Sequence, residues 1–104
     1  MILLKISGKD EQQIEEIASL LLKERLGIDM NIERHLERLT YEDDQMATEW
    51  VCLLTAKTKA LLFPTIDKLL KDKYGNDIPE IYSVPIIHMD WDQSNQLVKE
   101  VKEV

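Results

Sequence analysis

Apolar positions along the chain fall into short runs and stripes whose period changes, and each change marks an element. Residues 2–6, Ile-Leu-Leu-Lys-Ile, form an apolar run suited to a buried strand. Asp10 follows as a side-chain cap, with Gln13 three residues on to complete a capping-box pattern. Ile14, Ile17, Ala18, Leu21 and Leu22 then recur at three-to-four spacing, opposite Gln12, Glu15, Glu16, Lys23 and Glu24. That stripe predicts a helix, ended by Gly27. Residues 28–45 divide. Ile32, Leu36 and Leu39 have helical spacing, yet Met30, Ile32, Leu36 and the Thr40-Tyr41 pair also fit a strand with one wet face. The pattern alone leaves both open.

Trp50-Val51-Cys52-Leu53-Leu54-Thr55 is apolar on both faces, as a central strand is, and Glu42-Asp43-Asp44-Gln45 predicts an acidic turn before it. Leu62, Ile66, Leu69 and Leu70 stripe a second helix, and Pro64, tolerated only in a first turn, starts it near Leu61. Tyr74-Gly75-Asn76-Asp77 ends that helix. Residues 81–87, bracketed by Pro79 and Pro85, read as an extended segment at a sheet edge or cut short. Leu97, Val98, Val101 and Val104 make a last amphipathic helix. With the undecided stretch as a strand, the order is β-α-β-β-α-β plus a terminal helix: an α+β, ferredoxin-like plan. Two helices then cover one sheet face, and an apolar second face is an oligomerisation surface.

Composition narrows the class. The 104 residues, 44% apolar, suffice for one core, so residues 1–104 are expected to form a single domain. Thirteen Lys and Arg against twenty Asp and Glu leave a net charge of −7, which argues against nucleic acid or an anionic membrane as the main partner. No apolar stretch approaches the roughly 20 residues of a membrane helix, and residues 1–7 lack the features of a secretory signal. The lone Cys52 allows no intrachain disulfide and no Cys-based zinc cluster. A soluble cytoplasmic domain is expected.

No catalytic pattern stands out. Ser7, Ser19, Ser83 and Ser94 lack a His in any nucleophile-elbow arrangement, and Gly8 and Gly75 make no phosphate loop. The donors suited to copper are Cys52, His35, His88, Met1, Met30, Met46 and Met89. Only His88-Met89-Asp90, with Asp92, mixes ligand types at short spacing, and the alternative there is a polar turn capping the last helix. Cys52 reads as a small core residue. Trp50 and Trp91 read as packing residues, Trp91 the more exposed.

Two segments resemble a known family. Lys57-Thr58-Lys59-Ala60-Leu61-Leu62-Phe63-Pro64 resembles the Lys-Thr-…-Leu-Phe-Pro stretch leading into the second helix of the divalent-cation tolerance (CutA) family. Ile78-Pro79-Glu80-Ile81-Tyr82-Ser83-Val84-Pro85-Ile86 resembles its Pro-Glu-Ile-…-Pro-Ile strand. Lys23-Glu24-Arg25-Leu26, Asn31-Ile32 and Tyr41 add support, and the likeness runs from about residue 2 to 97. It implies a ferredoxin-like subunit, related in architecture to PII signalling proteins, with residues 28–41 as the second strand. It also implies a tight homotrimer whose sheets pair across subunits, tolerance of copper and other divalent cations, no required cofactor and no enzymatic activity.

Several family positions differ here. Asp29 stands for the usual Cys, Arg34-His35 for a Pro-Gly pair, and Glu42-Asp43-Asp44-Gln45 for a Trp-Glu-Gly-Lys turn. Tyr74-Gly75-Asn76 stands for His-Pro-Tyr, and Gln93 and Gln96 for a late Tyr and Trp. The shared polar positions left are Asn31, Asp43, Lys57 and Glu80, which the resemblance places in clefts between subunits as a small-ligand or ion pocket. Lys57 and Glu80 equally fit an ion pair across the sheet. His88 and Asp90 match residues common in the family and are the candidate metal ligands. The expected function is a non-catalytic homotrimer in the response to divalent metal, copper in particular. The alternative is a PII-like regulator binding a nucleotide or metabolite and a protein partner. A third reading, an acylphosphatase-like hydrolase, would use Ser7-Gly8-Lys9-Asp10 as an anion cradle.

Overall fold

A computed structural model describes residues 1–104. Strand β1 (Ile2–Gly8) leads to helix α1 (Glu11–Lys23), then to the long strands β2 (Ile28–Glu42) and β3 (Gln45–Thr58). A 3₁₀ turn (Ala60–Leu62) opens helix α2 (Phe63–Tyr74), and a second (Gly75–Asp77) closes it. Strand β4 (Glu80–Pro85) and helix α3 (Trp91–Glu100) follow. The sheet is antiparallel in the order β2-β3-β1-β4, the ferredoxin-like arrangement, with the proline-bracketed β4 at an edge. Helical periodicity in residues 28–41 therefore yields to a strand.

The reason is two slips in the β2–β3 register, between Ile28 and Asn31 and between Glu33 and Leu36. Asp29 (φ 53°) and His35 (φ 59°) take left-handed backbone there. Each slip reverses which face the following side chains occupy. Ile32 lies opposite Leu54 on the helix side, while Leu36 lies opposite Val51 on the other face. Spacings of four and three thus arise inside a bulged strand.

Alternate residues of β1 and β3 (Leu4, Ile6, Cys52, Leu54, Ala56) meet Ile14, Ile17 and Leu21 of α1, Ile66 and Leu70 of α2, and Leu97 of α3 in one core. Cys52 is a core residue, 6% exposed. Asp10 caps α1 by accepting from the Gln13 amide at 3.2 Å. The capping box is not completed, because the Gln13 side chain donates to the Asp77 carbonyl instead.

Helix α1 also ends before Gly27. The Leu26 amide bonds the Leu21 carbonyl and the Arg25 amide bonds that of Leu22, with Arg25 itself left-handed (φ 56°): a Schellman ending. Arg25 accepts that conformation while its guanidinium donates to the Lys99 and Glu100 carbonyls at the end of α3. Lys59 donates to the Val101 and Lys102 carbonyls just beyond, so two cations hold the negative end of the helix dipole. Gly27 sits in a close approach instead: a Cβ there would lie 3.1 Å from Met30 Cε, which would have to give by a few tenths of an ångström.

Candidate functional site

Strand β1 pairs with β3 only as far as Gly8 opposite Cys52. Beyond that point residues 36–42 and 45–51 continue as a two-stranded arm for about 23 Å. Asp43 (φ 50°) and Asp44 (φ 60°) form its two-residue turn, the conformation whose twist matches the flanking strands. Aspartate tolerates φ above zero better than most residues, so the predicted acidic turn is also a geometric device.

One face of the arm carries Tyr41 opposite Met46, Leu39 opposite Thr48, and Trp50 opposite Glu37. Tyr41, Met46, Leu39 and Trp50 are each 59–70% exposed. The other face carries Leu36, Arg38 and Thr40 opposite Val51, Glu49 and Ala47, and the Thr40 hydroxyl is shielded from solvent without a hydrogen-bond partner. An isolated two-stranded ribbon is marginal in water, and an apolar patch of this kind marks a contact surface. Neither tryptophan packs inside the chain: Trp50 is 59% exposed and Trp91 85%.

At its root the arm is tied to α1. Arg34 bonds Glu15 at 2.6 Å and also bonds Glu11. Its hydrogen bonds to these two carboxylates, Glu15 first, raise the guanidinium pKa above its already high value. On the far side of α1, burial of Tyr74 and its hydrogen bond to Glu16 (3.1 Å) push the phenol above its ordinary range.

The four expected cleft residues occupy three places within one chain. The Asn31 amide donates to the Asp29 carbonyl at 3.2 Å, and the Lys57 ammonium pairs with the Asp29 carboxylate at 3.3 Å. Those two therefore meet around the first bulge. Glu80 faces Arg38 at 3.7 Å, and Arg38 also donates to the hydroxyl of Ser7 at 3.1 Å. Asp43 stands alone at the arm tip.

Lys57 and Glu80 form no ion pair with each other. They lie on either side of β1, opposite Leu3 and Ser7, about 13 Å apart along the strands and about 10 Å across them. Asp29 and Arg38, the partners the sequence reading missed, are aimed by the bulges and the cross-strand register. Lys9 and Glu49 add a further pair at 3.0 Å, so the face away from the helices mixes charge with Leu3, Leu53 and Val84. The open face is therefore apolar only in part. The acylphosphatase-like cradle also finds its parts otherwise engaged: Asp10 caps α1, Lys9 pairs with Glu49, and Ser7 is buried beneath Arg38.

His88 is exposed on the connection between β4 and α3. Asp90 Oδ2 accepts from the Asp92 and Gln93 amides, both at 3.1 Å, so that carboxylate caps α3. No group of three or more His, Cys, Asp and Glu side chains is placed to hold a metal ion, and no helix is long and apolar enough to cross a membrane.

Strand order, the covered and uncovered sheet faces, and the projecting arm define the class: a ferredoxin-like α+β fold with an extended β2–β3 hairpin. A sequence profile of the CutA1 divalent ion tolerance proteins matches residues 2–100. The chain belongs to that family, a tolerance family rather than a known enzyme family. Solved structures agree on the fold. The divalent cation tolerance protein Cut A1 of Thermus thermophilus superposes with a TM-score of 0.82 at 24% identity, over 98% of this chain and 100% of that one. CutA1 of Oryza sativa gives 0.84 at 20% identity, over 99% and 94%. The periplasmic divalent cation tolerance protein CutA of Archaeoglobus fulgidus gives 0.81 at 18% identity, over 98% and 100%. No curated sequence is similar enough to match.

Proposed function

We propose that this chain is a non-catalytic subunit of a homotrimer acting in the response to divalent metal, copper in particular, and that it works in the cytoplasm. One observation carries the reading: the arm holds four large apolar side chains that nothing in its own chain covers. Outer edges of β2 and β4 are also free, on opposite sides of the sheet, which suits head-to-tail pairing that closes into a ring. In such a ring Asp43, at the tip of one arm, approaches a neighbour's sheet. Asn31, Lys57 and Glu80 then contribute to clefts that take an ion or small ligand. His88 and Asp90 are the candidate metal contacts on each subunit; no cofactor is needed for folding.

The PII-like alternative, with a nucleotide or metabolite and a protein partner, would use a long segment between β2 and β3. The two-residue turn at Asp43-Asp44 favours the first reading. Light scattering on purified protein, with copper and with a chelator, tests it. A mass three times that of the 12.2 kDa chain in both conditions is expected. A monomer or dimer overturns the trimer.

A further inference from the structure

The connection between β4 and α3 is pinned at both ends. At one end the Ile86 amide donates to the Met1 carbonyl at 3.0 Å, and at the other Asp90 caps α3 while its carbonyl accepts from the Ser94 amide. Between these anchors, His88 and Met89 line, with Met1 and Trp91, an open cleft of about 320 Å³ whose other walls include Ile86 and Ile87. Met1 and Met89 are partly buried against the core, and His88 and Trp91 are exposed. Two thioethers, one imidazole and an indole thus line one cleft, with Met1 brought to the connection by its carbonyl's hydrogen bond to Ile86.

Hard divalent cations take carboxylate, carbonyl and water oxygens, whereas thioether sulfur selects soft ions such as copper(I). Neither nearby carboxylate, Asp90 or Asp92, lines the cleft, and the Asp90 Oδ2 is committed to two backbone amides. The Trp91 indole, also part of the lining, is a side chain that attracts weakly hydrated cations. We infer that the cleft formed by Met1, His88, Met89 and Trp91 binds a soft monovalent cation, copper(I) or silver(I), through the Met1 and Met89 sulfurs and the His88 imidazole. This deepens the proposed ion-handling role and rests on it: the second ligand type moves from the Asp90 carboxylate to methionine sulfur, and the ion from divalent to monovalent.

The test is an anaerobic titration of the full chain with copper(I) against a chromogenic copper(I) chelator, repeated with silver(I). Cys52→Ala removes the competing thiol, and Trp50→Phe leaves Trp91 as the sole tryptophan emitter. One ion bound per chain, with a change in Trp91 emission, is expected. His88→Asn and Met89→Leu are each expected to weaken binding at least about tenfold, the lower end of what even outer-shell changes cost a metal site. Met89→Leu conserves volume and His88 is exposed, so both variants keep the fold. His35→Asn removes the other imidazole, at the second bulge of β2, with a residue type that accepts φ above zero, and is expected to leave the affinity unchanged.

Absence of copper(I) binding overturns the site. So does binding that persists in both His88→Asn and Met89→Leu, or that disappears with Cys52→Ala. A trimer that binds copper(II) without regard to His88 and Met89 leaves the ion-handling reading intact and overturns this inference alone.

Discussion

Strand β3 serves two regions under opposite rules. Over residues 52–58 every second side chain (Cys52, Leu54, Ala56, Thr58) is buried, because β1 lies alongside and the helices lie above. Over residues 45–50 none is buried, although Met46 and Trp50 are as apolar as anything in the core. Large apolar side chains occur in both stretches; what differs is whether another element of the chain arrives to cover them. The base therefore stabilises itself, and the arm presents apolar surface that only contact from outside the chain can bury.

That contrast breaks most visibly in the base. Leu70→Ala, at a fully buried position of α2, is expected to cost about 2–5 kcal/mol in urea unfolding, with the loss seen alike by arm and base probes. An arm that melts apart from the base would show the two regions to be independent. Tyr41→Ser with Met46→Ser works the other way. Folding of the single chain changes by about 0.5 kcal/mol or less, as for surface positions, while the mass in solution falls. An unchanged mass would show that this face is not an interface.

Smaller effects sharpen the description of the base. Arg25→Ala removes the guanidinium that bonds the Lys99 and Glu100 carbonyls, and about 1 kcal/mol of stability is expected to go with it. Hydrogen exchange in α3 should rise more than in α1; a uniform rise would contradict the clamp. Tyr74 gives the smallest effect. Its folded phenol titrates above the ordinary value of about 10, so the fold favours the protonated form. That contribution is complete below the unfolded value and is lost as pH rises through the folded one. Tyr74→Phe is expected to flatten this alkaline loss, and a profile identical to the parent would assign it to other groups.

Most of the base was legible because its signals are local. The stripe of α1, the Pro64 start of α2 and the prolines flanking β4 each act within a few residues of themselves. Strand β2 was not legible from periodicity, since slips at Asp29 and His35 change the face on which its apolar residues fall. Neither residue is the glycine that would have signalled a bulge, and only the family resemblance placed the strand. Gly27 misled for the converse reason: Arg25 takes the left-handed turn because its side chain is anchored on α3, a contact 74 residues away in sequence.

Around the candidate site, residue identity was legible but partnership was not. Lys57 and Glu80 both carry charge into the sheet, yet bulge geometry gives Lys57 to Asp29, and cross-strand register gives Glu80 to Arg38. His88 and Met89 were visible as a short mixed cluster. The approach of Met1 depends on the hydrogen bond between Ile86, just after the edge strand β4, and Met1, just before the inner strand β1, which no spacing reveals.

Amide exchange along residues 36–51 of the purified protein tests most directly whether the arm is covered by other copies of the chain. At concentrations that hold the assembly together, arm amides are expected to exchange as slowly as those of β1, and to speed up on dilution while β1 stays protected. Rapid exchange in the arm at every concentration, with β1 slow, would contradict the account.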